Sequence, residues 1–103
     1  MDVRQLRYFS EIVAAKSFTR AADRVRVAQP ALGLQIRKLE DELGVTLLHR
    51  HSRGVEPTEA GVVLLRHANA ILKQIEQARS EVMDLSGPPR GNIVLGITPT
   101  VSA

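Results

Sequence analysis

Between Gly61 and the Gly87-Pro88-Pro89 cluster the chain contains no helix breaker. Pro57-Thr58-Glu59 opens this stretch, with Thr58 placed to cap a helix and Glu59 favourable near its positive end. The pattern predicts one helix over 58–86, about 29 residues and ~43 Å long at 1.5 Å per residue. A helix of that length outruns any core the preceding residues can build. The fold is therefore mainly α, with a head and a long projecting helix.

The head, residues 1–57, is by contrast repeatedly punctuated. Leu6, Phe9, Ile12 and Val13 recur at three- and four-residue intervals and predict a helix over 3–16. Ser17 is a cap for a short second helix over 18–25, whose inner side carries Phe18, Ala21, Ala22 and Val25. The two alanines let another helix axis approach closely. Pro30 is tolerated in a first helical turn, so a third helix runs over about 29–43. Leu32, Ile36, Leu39 and Leu43 line one side, and Gly44 ends it. Neither Ala28 nor Gln29 is a good cap. From 46 to 57 the period shortens around His51-Ser52-Arg53-Gly54, which predicts a small hairpin.

After a hinge at 87–90 comes Ile93-Val94-Leu95-Gly96-Ile97. A continuous β-branched run of this kind suits a strand buried on both faces of a parallel sheet. No other strand in the chain pairs with it. Residues 91–103 therefore read as the truncated start of an α/β domain.

The chain lacks cysteine, which removes disulfides, thiol nucleophiles and Cys-based zinc modules. No apolar stretch approaches the roughly 20 residues of a membrane span. Met1 to Gln5 has no apolar signal region. A cytoplasmic location follows as the default. No phosphate-binding loop, nucleophile motif or nucleotide fingerprint occurs, so the reading is not an enzyme and calls for no cofactor.

Charge points to a partner. Lys plus Arg number 14 against 11 Asp plus Glu, a net +3. The excess is concentrated. Lys16, Arg20, Arg24, Arg26, Arg37 and Lys38 face only Asp23 within residues 16–38. Such a patch suits a polyanion, because neutralised phosphates release counterions. The aromatics are only Tyr8, Phe9 and Phe18. Single-strand binders need stacking platforms, so duplex DNA is the better match.

Three short helices, a hairpin and a basic middle describe a winged helix-turn-helix. The major groove, ~12 Å wide, admits one helix, and the helix before it must cross closely. From Leu6 to Gly61 the sequence resembles the DNA-binding domain of LysR-type transcriptional regulators. The matching segments are Leu6-Arg7-Tyr8-Phe9, Ser17-Phe18-Thr19-Arg20-Ala21-Ala22, Ala28-Gln29-Pro30-Ala31-Leu32, Ile36-Arg37-Lys38-Leu39-Glu40, Glu42-Leu43-Gly44, Leu47-Leu48-His49-Arg50 and Arg53 to Gly61. The helix over 58–86 resembles the family's linker helix, and residues 91–97 resemble the first strand of its effector domain.

The resemblance implies that the third helix is the recognition helix, with Gln29 and Pro30 facing base edges. Gln can bond adenine N6 and N7 together. Many members carry Ser and Arg at the next groove-facing positions, where this chain has Gly33 and Leu34. Part of the readout then falls to Gln35, Arg37 or DNA shape. Arg53, at the hairpin tip, would enter the minor groove, where narrow A·T-rich stretches attract arginine. Arg50 resembles a backbone-contacting wing residue, with an ion pair to a nearby carboxylate as the alternative. Ser17, Thr19 and Arg20 are phosphate-contact candidates, and capping serves Ser17 equally well.

Other features have plainer readings. His49 and His51 share a strand face but lack a third ligand, so no metal site is expected. Glu40, Asp41 and Glu42 read as a solvated helix end, with Glu40 open to pairing with an Arg. On the long helix, Leu65, Ala68, Leu72, Ile75, Ala78, Val82 and Leu85 form a stripe at threes and fours. Packing between two chains is its favoured reading, since helix-turn-helix proteins bind paired half-sites as dimers. The resemblance thus implies a double-stranded operator and a homodimer, with a tetramer open to the full-length parent. A small-molecule effector would act only in that parent, near Thr100. The alternative is a helical protein-interaction module that dimerises without reading DNA.

Overall fold

The chain runs α1 (Val3–Ala15), α2 (Phe18–Val25), α3 (Gln29–Leu43), β1 (Leu48–His51), β2 (Gly54–Pro57) and α4 (Glu59–Ser86). This computed structural model describes residues 1–86, and the expected hinge at 87–90, strand at 93–97 and Thr100 lie outside the described residues. The described part is elongated, 54 × 25 × 21 Å, because the 28 residues of α4 span ~42 Å.

Local chemistry fixes each boundary. Asp2 caps α1 by accepting the Gln5 N–H at 2.8 Å, while the Asp2 N–H donates to Gln5 Oε1 at 3.2 Å. This reciprocal box satisfies two otherwise orphaned donors. Lys16 closes α1 in the left-handed region, φ 57°, and donates its N–H to Ile12 O. The helix therefore ends one residue earlier than the periodicity suggests. Ser17 caps α2 through the Arg20 N–H at 3.1 Å. Ala28 offers no side-chain cap, and Pro30 stands in the first turn of α3 instead. Gly44, φ 71°, terminates α3.

The core lies where α1, α2, α3 and the hairpin converge. Phe9, Ile12, Leu32, Leu39 and Leu47 are fully buried at its centre, with Phe18, Ala21, Ala22, Ile36 and Val55 around them. Ala21 is fully buried, as close helix approach requires. Leu43 is not part of this core. It is 39% exposed, at the last residue of α3.

β1 and β2 pair antiparallel, with Leu48 opposite Pro57 and His51 opposite Gly54. Four hydrogen bonds, two between backbone groups and two to a side chain, tie this wing to the helices and to its own entry and exit. The Val55 N–H donates to Lys16 O at 3.2 Å, and the Thr58 N–H to Leu47 O at 2.9 Å. The Glu40 carboxylate accepts the N–H groups of Leu47 and Leu48 at 2.7 and 3.3 Å. Glu40 is thus a brace for the start of the wing rather than a solvated acid paired to an Arg. Thr58 caps α4 by accepting the Gly61 N–H at 3.0 Å, and its hydroxyl donates to Thr46 O at 2.6 Å. Gly61 makes this junction feasible, since a Cβ there would lie 2.1 Å from Leu47 O.

Candidate nucleic-acid interface

Burial of Leu32, Ile36 and Leu39 holds α3 against the core and turns its other face outward. Gln29, Pro30, Leu34, Arg37 and Lys38 are exposed on this helix. Its N-terminal half and the wing enclose a shallow cleft of about 380 Å³, lined by Phe18, Gln29, Pro30, Gly33, Arg37 and Arg50. Five of the expected contact residues therefore share one cleft, although they come from two separate elements.

Arg50 joins those elements. Its guanidinium carbon sits 3.9 Å from the centroid of the Phe18 ring, a cation–π contact worth roughly 0.5–1 kcal/mol at an exposed site. One of its terminal nitrogens lies 3.8 Å from where a Cβ on Gly33 would stand. Arg50 is thus stacked on an aromatic face beside α3, and among the described residues it makes no carboxylate ion pair. Stacking leaves the guanidinium N–H edge free to donate outward.

Thr19 and Gln29 are also coupled, because the Thr19 hydroxyl donates to Gln29 Oε1 at 3.0 Å. A threonine hydroxyl has one proton. While that bond persists, Thr19 orients Gln29 and has no proton for a phosphate. Ser17 spends only an acceptor position on its cap, so its own proton stays available. Arg20 is exposed in the first turn of α2. Gln35 does not join the cleft. Its Oε1 accepts from Gln5 Nε2 at 3.3 Å, which ties it to α1 and removes it from the readout set.

Arg53 stands apart from the cleft, exposed in the turn between β1 and β2. Its backbone N–H donates to His51 Nδ1 at 3.2 Å. The His51 Nε2 lies 2.9 Å from Glu56 Oε2. Among the described residues, no group of three His, Asp or Glu could hold a metal ion.

The stripe on α4 divides into two parts. Ala68 is fully buried and Leu65 packs against the core, on the part of α4 that runs beside α1. Ser10 Oγ there donates to Asn69 Oδ1 at 2.9 Å. Ala68 is therefore spent within the chain and offers no surface to a second copy. Further along, Leu72 and Ile75 are half-exposed, and Val82 and Leu85 are 63% and 89% exposed.

Sequence reasoning missed the Glu40 brace, the Arg50–Phe18 stack and the Thr19–Gln29 bond, which join residues distant in the chain. The Asp2–Gln5 box was readable from its three-residue spacing.

Residues 3–62 match the bacterial regulatory helix-turn-helix proteins of the lysR family. The chain belongs to the LysR family. The nitrogen assimilation regulatory protein nac of Klebsiella aerogenes is 45% identical over 103 residues, covering 100% of this chain and 34% of its own length. The DNA-binding transcriptional dual regulator OxyR of Escherichia coli is 43% identical, covering 98% of this chain and 33% of its own length. The chain thus spans about a third of these LysR-family relatives. In structure it is similar to the BenM DNA-binding domain in its complex with catB site 1 DNA, with a TM-score of 0.81 and 41% identity, covering 85% of this chain and 99% of that one. The relatives are regulators rather than enzymes. Among the described residues, no helix is long and apolar enough to cross a membrane.

Proposed function

We propose that this chain binds duplex DNA sequence-specifically as the operator-reading part of a bacterial transcriptional regulator. The observation that carries the reading is the cleft between α3 and the wing. A rigidly backed helix there presents Gln29, Pro30 and Gly33 beside the guanidinium groups of Arg37 and Arg50. A helix of this kind enters the major groove by its N-terminal half while flanking cations take phosphates. Gln29 is the base-reading residue, and Leu34 is placed to touch a thymine methyl. Arg53, on the wing tip, takes the neighbouring minor groove. Ser17 and Arg20 take backbone phosphate at the start of α2.

The domain division follows the same logic, with residues 1–57 as the reading head and 58–86 as the helix that pairs two heads. Leu72, Ile75, Ala78, Val82 and Leu85 form the contact with a second copy. Partners are the DNA operator and that copy, in the bacterial cytoplasm where the operator lies. Responsiveness to a small molecule, with Thr100 near its site, belongs to the longer parent.

A mobility-shift titration tests the charge component. Affinity for duplex DNA falls steeply as salt rises, since several Lys and Arg side chains replace phosphate counterions. A flat response between low and physiological salt overturns the proposal and favours a protein-interaction module.

A further inference from the structure

The wing carries a carboxylate, Glu56, on the same hairpin that presents Arg53. A carboxylate beside a phosphate backbone works against binding, so its place in the hairpin asks for a physical reason. The backbone register sets His49 directly opposite Glu56. Glu56 nevertheless engages His51, the diagonal neighbour, at 2.9 Å through Nε2. The other imidazole nitrogen, Nδ1, accepts the N–H of Arg53 at 3.2 Å. An accepting Nδ1 carries no proton, so the ring proton sits on Nε2 and donates to Glu56. The order is thus Glu56 carboxylate, His51 imidazole, Arg53 backbone amide.

Nδ1 is bonded to Cγ, as is the Oδ1 of an asparagine. A bond from that position to the N–H two residues on has the geometry of an Asx-turn. His51 therefore imposes on the tip the local bond that Asn or Asp supplies in other turns, and Glu56 keeps the ring from rotating out of it.

We propose that His51, held by Glu56, is a positioning residue that fixes the backbone of the wing tip and so aims Arg53 at the minor groove. The inference rests on the DNA-binding reading above and deepens it by naming what sets discrimination at the tip. Fixing the turn beforehand removes an ordering cost that a loose tip would meet on binding. The benefit appears where Arg53 is most sensitive to aim, in the narrow groove of A·T-rich flanks.

The test uses the whole chain and a duplex selected from a random pool, prepared with A·T-rich or G·C-rich flanks. The readout is the ratio of the two affinities. His51→Ala should lower the A·T preference about fivefold, the worth of one net hydrogen bond. His51→Asn should restore it, because Oδ1 replaces Nδ1 as acceptor. Glu56→Gln should keep the ratio, since its amide oxygen still accepts from Nε2, and should tighten binding to both duplexes by removing a negative charge. The Arg53 amide proton gives a second readout. It should exchange faster with solvent in His51→Ala than in the parent or in His51→Asn.

An unchanged ratio in His51→Ala, together with a lost preference in Arg53→Ala, overturns the positioning role and leaves the DNA reading intact. An unchanged ratio in Arg53→Ala itself overturns the minor-groove assignment, and the role of His51 with it. Failure of His51→Asn to restore either readout also overturns the positioning role.

Discussion

Gly54→Ala probes how the wing is attached to the head. Gly54 has φ 133°, a region that is essentially restricted to glycine. A Cβ there would lie 2.4 Å from the carbonyl oxygen of Lys16, roughly 1 Å inside ordinary contact distance. The obstacle is backbone, so no side chain can swing aside. The same carbonyl accepts the Val55 N–H at 3.2 Å, so moving the wing away costs that bond too. Backbone strain of about 1–3 kcal/mol and a net hydrogen bond of about 1 kcal/mol suggest a loss of about 2–4 kcal/mol. Domains of this size have about 5–15 kcal/mol in total. In a domain of 60–100 residues each kcal/mol moves Tm by about 4–8 °C, so a drop of about 8–32 °C is expected. Thermal and urea unfolding followed by circular dichroism at 222 nm measures it. A Tm within about 3 °C of the parent would refute the reasoning, since the wing would then be free to shift without loss.

Glu40→Ala removes the acceptor for two backbone donors and should cost about 1.5–3 kcal/mol in the same unfolding assay. A loss below about 0.5 kcal/mol would mean that water replaces the carboxylate. Thr19→Val deletes the hydroxyl that holds Gln29. It should weaken discrimination at the base proposed for Gln29, and a double-mutant cycle with Gln29→Ala should be non-additive by at least about 0.5 kcal/mol. Additive losses would separate the two residues. Leu72→Asp or Ile75→Asp places an unpaired carboxylate in the proposed helix seam. Sedimentation should show monomers with an intact helical spectrum, and an unchanged dimer would locate the interface elsewhere.

Much of the architecture was legible because it rests on local rules. The core positions Phe9, Ile12, Leu32, Ile36 and Leu39 follow from the 3.6-residue period, and the ends of the second and third helices follow from Ser17, Pro30 and Gly44. Leu43 and Ala68 show where periodicity stops being informative. Both continue an apolar stripe, yet one ends in solvent and the other inside the chain, because neighbouring elements cover one and not the other. At the interface, Gln29, Arg37 and Arg50 could be nominated by position. Their couplings could not. The Arg50 stack needs Phe18 from α2, and the bond from the Arg53 amide to His51 is joined by a contact from His51 to Glu56 across the hairpin. Such contacts depend on tertiary placement, for which the sequence carries no periodic signal. Gln35 illustrates the same point in reverse, since its helical position suits the groove but its amide is bonded to Gln5 of α1.

The central claim is that α3 reads base edges through Gln29. Parallel selection of duplexes from a random pool, with the parent chain and with Gln29→Ala, tests it most directly. The parent should enrich a defined half-site sequence. The variant should enrich the same sequence with one base position per half-site relaxed, and lose about 1–3 kcal/mol on the parent's site. An unchanged preference at every position in the variant, or a uniform loss across all sequences, would contradict the account.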